Sequence, residues 1–245
     1  MSMRALGVVA LTVFLLTFQF ESTPAIELDR ARLPYYGSFP FERIGKTGES
    51  YGEKQLLSLG DDLMLTLEAG KTLKQGLPYL VAKPQAPWKA SFYEPIAVVR
   101  PLFKDGRSAY VGEVVEIFGL LDASQTYGLY DIGSRPRRMQ VQPMVSRHTA
   151  EGKVEVVYGS PRTASVGQYV GVTLSEIPRP SLDPGTKVYF YSKPSWWKEA
   201  FRRSKPPKVY AEGLVVFMAE KKATVFLTHG ENVVKPGAWV TTVLY

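Results

Sequence analysis

The sequence carries one pattern twice, and a chain built that way is constrained to build one fold twice. Lys83-Pro84 followed by Trp88-Lys89-Ala90-Ser91-Phe92 returns as Lys193-Pro194 followed by Trp197-Lys198-Glu199-Ala200-Phe201. A duplication must extend into the flanking segments at a nearly constant offset, and this one does. Gly60-Asp-Asp-Leu-Met-Leu-Thr-Leu answers to Gly167-Gln-Tyr-Val-Gly-Val-Thr-Leu, and Leu73-Lys-Gln-Gly76 to Leu182-Asp-Pro-Gly185. Downstream, Tyr110-Val-Gly-Glu-Val-Val is read as the counterpart of Tyr210-Ala-Glu-Gly-Leu-Val-Val. The offsets, 107 at Gly60, 110 at Pro84, 109 at Trp88 and 100 at Tyr110, scatter as surface-loop insertions do.

What is repeated is strand. Leu63, Leu65 and Leu67 alternate with Met64, Thr66 and Glu68, the period of two that marks a half-buried strand. Comparable runs at 79–82, 96–100, 111–118, 125–130, 139–145, 154–158, 169–174, 187–191, 209–218, 223–228 and 238–244 are set apart by Gly and Pro turns. No helical period long enough for a crossover between parallel strands intervenes. The expected fold class is all-β: two tandem, duplicated small β-barrel or sandwich modules, at 58–145 and 146–245. Ahead of them, 26–57 contains Leu33-Pro-Tyr-Tyr-Gly and Phe39-Pro-Phe and is read as an irregular segment docked on the body, with a short helix over 53–59.

A hydrophobic fraction of 45% against 22% charged residues supplies a core that needs neither metal nor disulfide, and no cofactor or metal is expected. The chain has no cysteine, which excludes thiol chemistry and a cysteine-linked lipid. Residues 1–25 have the form of a secretory signal: Arg4, an apolar run over 5–20, and small residues at Thr23-Pro24-Ala25. Cleavage near Ala25 is favoured over a retained anchor, since 16 apolar residues fall short of the roughly 20 that span a bilayer. Such a chain suits a bacterial periplasm. Its net charge of +7 points to acidic envelope polymers, anionic lipid surfaces or acidic proteins as partners, and not to nucleic acid.

Gly213-Leu-Val-Val-Phe followed by Val234-Lys-Pro-Gly-Ala-Trp-Val resembles the C-terminal β module shared by the flagellar ring assembly protein FlgT and the LysM-bearing proteins associated with type IV pilus secretins. The likeness covers chiefly 210–245 and more weakly 110–145, and the chain carries no LysM motif. The resemblance implies a part in a ring or collar around an outer-membrane machine, with envelope proteins and further copies of itself as neighbours.

Residues 193–208, KPSWWKEAFRRSKPPK, set six basic residues and one acid around three aromatics. Ser195 is placed to cap a short basic-aromatic helix with Trp197 and Phe201 on its inner side. Because Trp88 and Phe92 repeat those two, they are read as structural, leaving Trp196, Arg202, Arg203, Lys205 and Lys208 as partner contacts. Arg135, Arg137 and Arg138, in a turn after Gly133, form a second basic group suited to carboxylate or phosphate.

Catalytic patterns are weaker. Ser195-Trp-Trp-Lys198 matches the Ser-x-x-Lys of penicillin-binding proteins, but Lys46-Thr47-Gly48 lies upstream of it and the companion Ser-x-Asn is missing. His148 and His229 lack metal-site spacing, and Asp61-Asp62, adjacent on a strand, face opposite ways. The expected function is therefore that of a non-enzymatic periplasmic assembly component, with binding of peptidoglycan or anionic lipid as the alternative.

Overall fold

The computed structural model describes residues 24–52, 54–85, 92–133, 136–159, 162–176, 182–192 and 208–243. Strand β1 (Ile26–Asp29), a 3-10 turn (Arg30–Arg32) and β2 (Tyr35–Tyr36) come first. Then follow β3 (Glu42–Ser50), β4 (Asp62–Leu67), β5 (Tyr79–Gln85), β6 (Phe92–Lys104), β7 (Ala109–Ile117) and β8 (Gly128–Asp131). These six close into an antiparallel barrel in the order β3-β4-β7-β6-β5-β8, with β2 added to β6. After β9 (Arg138–Val141), which pairs with β1, come β10 (Glu151–Val157), β11 (Tyr169–Leu174), β12 (Lys187–Tyr191), β13 (Val209–Ala219), β14 (Lys222–Gly230) and β15 (Trp239–Thr241). They close in the order β10-β11-β14-β13-β12-β15.

The two orders are the same, strand for strand, and so is the register. Gly45, Lys46 and Thr47 lie opposite Leu67, Thr66 and Leu65, and Gly152, Lys153 and Val154 lie opposite Leu174, Thr173 and Val172. At Gly45 a Cβ would stand 2.3 Å from the Thr66 carbonyl oxygen, and at Gly152 it would stand 2.4 Å from that of Thr173. Both barrels therefore require glycine where the first strand crosses close over the second. The turn before the second strand is also shared: Ser58 N–H donates to Asp61 Oδ2 and Ser165 N–H to Gln168 Oε1, each at 2.8 Å.

The alternating pattern explains closure, since inward residues fill each barrel: Leu63, Leu65, Val81, Val99 and Leu129 in the first, Val170, Val172, Phe190, Val225 and Val240 in the second. Closing a sheet on itself leaves no unpaired strand edge among the barrel strands.

Topology corrects several expectations. β13 is the counterpart of β6 and β14 of β7, so Tyr110 answers to Ala223 and not to Tyr210. The outlying offset of 100 came from matching similar wording on the wrong strand. Barrel 1 opens with β3, inside the 26–57 segment and upstream of 58. In place of a helix at 53–59, the described residues are irregular, with Leu56 in an isolated bridge to Asp122. Among the described residues there is no α-helix, and the basic-aromatic helix over 195–203 lies outside them. So do residues 1–23 of the signal expected over 1–25, and Trp88, Trp197 and Phe201, while Phe92 is buried.

The segment ahead of barrel 1 is docked, and what it docks against is both barrels at once. Ala31, Leu33 and Tyr36 are fully buried. Tyr35 and Phe39 stand edge-on to each other, Phe39 stacks on Tyr93 of barrel 1 at 4.7 Å, and Tyr35 meets Phe217 of barrel 2 at 4.9 Å. Leu80, Ala82, Val98 and Tyr130 from the outer face of barrel 1 join Leu214 and Val216 of barrel 2 in this third core. A fourth cluster puts Tyr36 and Phe92 against Val156 and Tyr158.

Candidate interaction site

The junction has two bonds on Tyr36 that fix the segment to barrel 2: its N–H donates to Thr224 Oγ1 at 3.1 Å, and its hydroxyl pairs with Thr173 Oγ1 at 2.8 Å. The Tyr36 ring lies flat on Gly171, where a Cβ would come within 3.0 Å of it. Burial pushes the phenols of Tyr158 and Tyr169 up, that of Tyr169 to about 12.

Beside this junction the three arginines of the sequence reading part company. Arg137 turns inward. Its Nε and Nη2 donate to Asp29 Oδ1 and Oδ2 at 3.1 and 2.6 Å, and its Nη1 and Nη2 donate to Glu116, the latter at 2.8 Å. One guanidinium thus ties the N-terminal segment to barrel 1 through two carboxylates, and both hydrogen-bonded partners hold it charged. Arg32 lies 3.7 Å from each carboxylate. Hydrogen bonds from Arg137 keep Glu116 below its ordinary value. At Asp29, burial works upward, but bonds from Arg137 and the Ala31 N–H outweigh it and the net shift is downward.

This ion cluster lines a cavity of about 650 Å³ together with Glu27, Leu28, Arg138 and Tyr169. Three acids and three arginines line it, so it presents no strong net charge to a ligand. A second cleft, of about 380 Å³, runs between the N-terminal segment and barrel 2, lined by Leu33, Tyr35, Phe41, Met139, Phe217 and Met218 among others. Glu220 at its rim has φ 54°, a left-handed conformation uncommon outside glycine and found here in the two-residue turn between β13 and β14.

Arg138 and Lys208 remain on the surface. Arg138 pairs with Glu27 at 3.2 Å and Lys208 with Glu231 at 3.4 Å, exposed contacts that leave both side chains open to a partner. Arg135, Trp196, Arg202, Arg203 and Lys205 lie outside the described residues. Thr47 is buried, and its hydroxyl accepts from the Tyr127 N–H at 3.1 Å, so Lys46-Thr47-Gly48 is part of a barrel wall. Asp61 belongs to the turn before β4, paired with Lys54 at 2.6 Å. His148 and His229 are exposed.

Sequence reasoning passed over Tyr36, Asp29 and Glu116. Only Tyr36 left a signal, as part of the dense Leu33-Pro-Tyr-Tyr aromatic wording.

Fold and junction together define a class: a tandem of duplicated, closed six-stranded barrels locked together by an aromatic N-terminal segment. Comparison of the chain with protein-family models, curated proteins and solved structures gives no match.

Proposed function

We propose that this chain is a non-enzymatic structural component of a bacterial envelope machine of the flagellar or pilus-secretin kind, exported by cleavage near Ala25 and held among neighbouring proteins. The observation that supports this best is the junction: two complete barrels are fused into one body by a core whose residues come from the N-terminal segment, β9 and both barrels. Such a body serves as a spacer or scaffold. Being closed, the barrels meet neighbours through side chains and loops and not through added strands.

The contacts belong to basic and aromatic residues: Trp196, Arg202, Arg203, Lys205 and Lys208 on the connection ahead of β13, and Arg135 and Arg138 near β9. Against an acidic neighbour such groups set orientation and encounter rate more than affinity. Arg137 drops out of that set, since its guanidinium is already committed to Asp29 and Glu116. Pull-down from crosslinked envelopes, read by mass spectrometry, tests the reading. Arg202→Glu with Arg203→Glu releases the chain from its complex while its melting curve stays unchanged. Recovery of no envelope protein, or a mature chain that still begins at Met1, would overturn it. The net charge of +7 favours a second reading, binding of peptidoglycan or anionic lipid. Salt-sensitive cosedimentation with either, in the absence of a protein partner, would make that the better one.

A further inference from the structure

Because the two barrels share strand order and pairing register, the face by which barrel 2 holds the rest of the chain has a counterpart on barrel 1. Two β-bulges fix the alignment: register shifts fall between Val98 and Val99 and between Pro101 and Phe103 in β6, and between Glu212 and Gly213 and between Val215 and Phe217 in β13. Leu102 and Phe103 are thereby the counterparts of Val216 and Phe217. Likewise the Tyr51 N–H donates to the Asp62 carbonyl and the Tyr158 N–H to that of Tyr169, each at 3.1 Å, which makes Tyr51 the counterpart of Tyr158.

On barrel 2 these positions are covered: Tyr158 is 8% exposed, Val216 is 3%, and Phe217 packs against Tyr35. On barrel 1 they are open: Tyr51 is 54% exposed, Leu102 39% and Phe103 45%, and Tyr51 and Phe103 meet edge to face at 6.3 Å. A lone exposed apolar residue needs no explanation. Three together, at the positions that form an interface in the other copy, do.

We propose that this open face on barrel 1 is occupied by a second copy of the chain, joined head to tail. The internal interface shows what such a face receives: the segment that precedes barrel 1 lies on barrel 2. The segment that precedes barrel 2 is its equivalent in chain order, and it holds Met144 and Val145 exposed to solvent. Carried forward by one step, the same rule puts Met144 and Val145 of one copy on Tyr51, Leu102 and Phe103 of the next.

One difference between the faces fits this donor. Gly171, on which the Tyr36 ring rests, is replaced in barrel 1 by Met64, paired with Val111 as Gly171 is with Thr224. Met64 fills the space a tyrosine ring would take, so a slimmer residue such as valine is accommodated there. The contact joins two different surfaces, so it propagates and closes into a ring or extends as a filament.

The inference does not rest on the envelope reading, and purified protein alone tests it. Sedimentation velocity over a wide concentration range is expected to show association beyond a dimer, abolished by Phe103→Asp and by Tyr51→Asp and unchanged by Val166→Asp. Circular dichroism and melting of each variant separate lost association from lost folding, and Tyr51→Asp serves if Phe103→Asp unfolds. Because the chain has no cysteine, mixing Phe103→Cys with Val145→Cys protein under oxidising conditions is expected to yield a mixed disulfide dimer. A monomer at every concentration, association indifferent to both aspartates, or dimers of Phe103→Cys protein with itself alone would overturn the proposal. Envelope pull-down can fail or succeed without altering any of these outcomes.

Discussion

Replacing Tyr36 by alanine tests whether the N-terminal segment makes one body of two barrels. The side chain is 1% exposed and packs on Gly171, Phe92, Val156 and Tyr158, with the Lys222 ammonium 5.2 Å from its ring centre. Truncating a buried aromatic to alanine costs about 3 to 5 kcal/mol, and losing the hydroxyl's bond to Thr173 adds about 1 kcal/mol. Thr173 is only half-buried and regains water, so no orphaned group adds to the loss. Because Tyr36 belongs to neither barrel interior, the whole of this cost falls on the junction while the cores of both barrels stay intact. Scanning calorimetry should therefore resolve the single transition of the parent into two, one per barrel, with the summed enthalpy reduced. Tyr36→Phe, which keeps the ring, should lose only about 1 kcal/mol and keep one transition. A Tyr36→Ala protein that melts in one step within about 1 kcal/mol of the parent would show that the junction is not what couples the barrels.

Two further outcomes follow from the same geometry. Asp29 and Glu116 have folded values below their ordinary ones, so the stability they contribute is fully present above the unfolded carboxylate values and is lost as pH falls through the folded ones. Acid titration should thus weaken the junction at and below the ordinary carboxylate range, and Arg137→Met should remove most of that dependence; equal acid sensitivity in both proteins would refute the assignment. Gly45→Ala and Gly152→Ala should destabilise by similar amounts, about 1 to 3 kcal/mol each, through the same carbonyl clash. Chemical denaturation of the two variants checks this, and a tolerated alanine at either position would break the equivalence.

Much of the fold was legible because alternation marks a strand whatever its neighbours do. β4, β11 and β14 read directly as alternating runs with their inward residues at every second position. β3 did not, since Glu-Arg-Ile-Gly-Lys-Thr-Gly-Glu-Ser has Ile44 as its sole aliphatic residue. Its strand character comes from neighbours on both sides, β4 and β8, and from glycines that a close crossing demands. The repeated Gly45-Lys46 and Gly152-Lys153 was the signal that would have found it. The junction was harder to read for a physical reason. Three arginines close in sequence look alike, and what separates Arg137 from Arg138 is a pair of carboxylates 108 and 21 residues away. Nothing local reports such a meeting. The exposed aromatics at Tyr51 and Phe103 became informative only when the true strand equivalence was known.

The two copies have diverged differently inside and outside. In the interior, changes compensate by volume. Leu65 of barrel 1 faces Gly112, where a Cβ would come within 2.7 Å of the leucine Cδ1, while barrel 2 has Val172 and Val225 at the matching positions. Val81 and Val99 are matched by Phe190 and Gly213, where the larger ring lies 3.4 Å from the place of the missing Cβ. A close-packed core tolerates redistribution of volume far better than a net gain or loss, so both barrels keep their shape. On the outer face no such balance operates. Several positions of this face change together: where barrel 2 has Tyr169, Gly171, Leu214, Thr224 and Phe226, barrel 1 has Asp62, Met64, Arg100, Val111 and Glu113. Barrel 1 therefore lacks both the bed for a tyrosine ring and a counterpart of the Thr224 hydroxyl that accepts the Tyr36 N–H. Barrel 2 is closed over by Tyr36; barrel 1 pairs Arg100 with Glu113 on its corresponding face and keeps Tyr51, Leu102 and Phe103 turned outward.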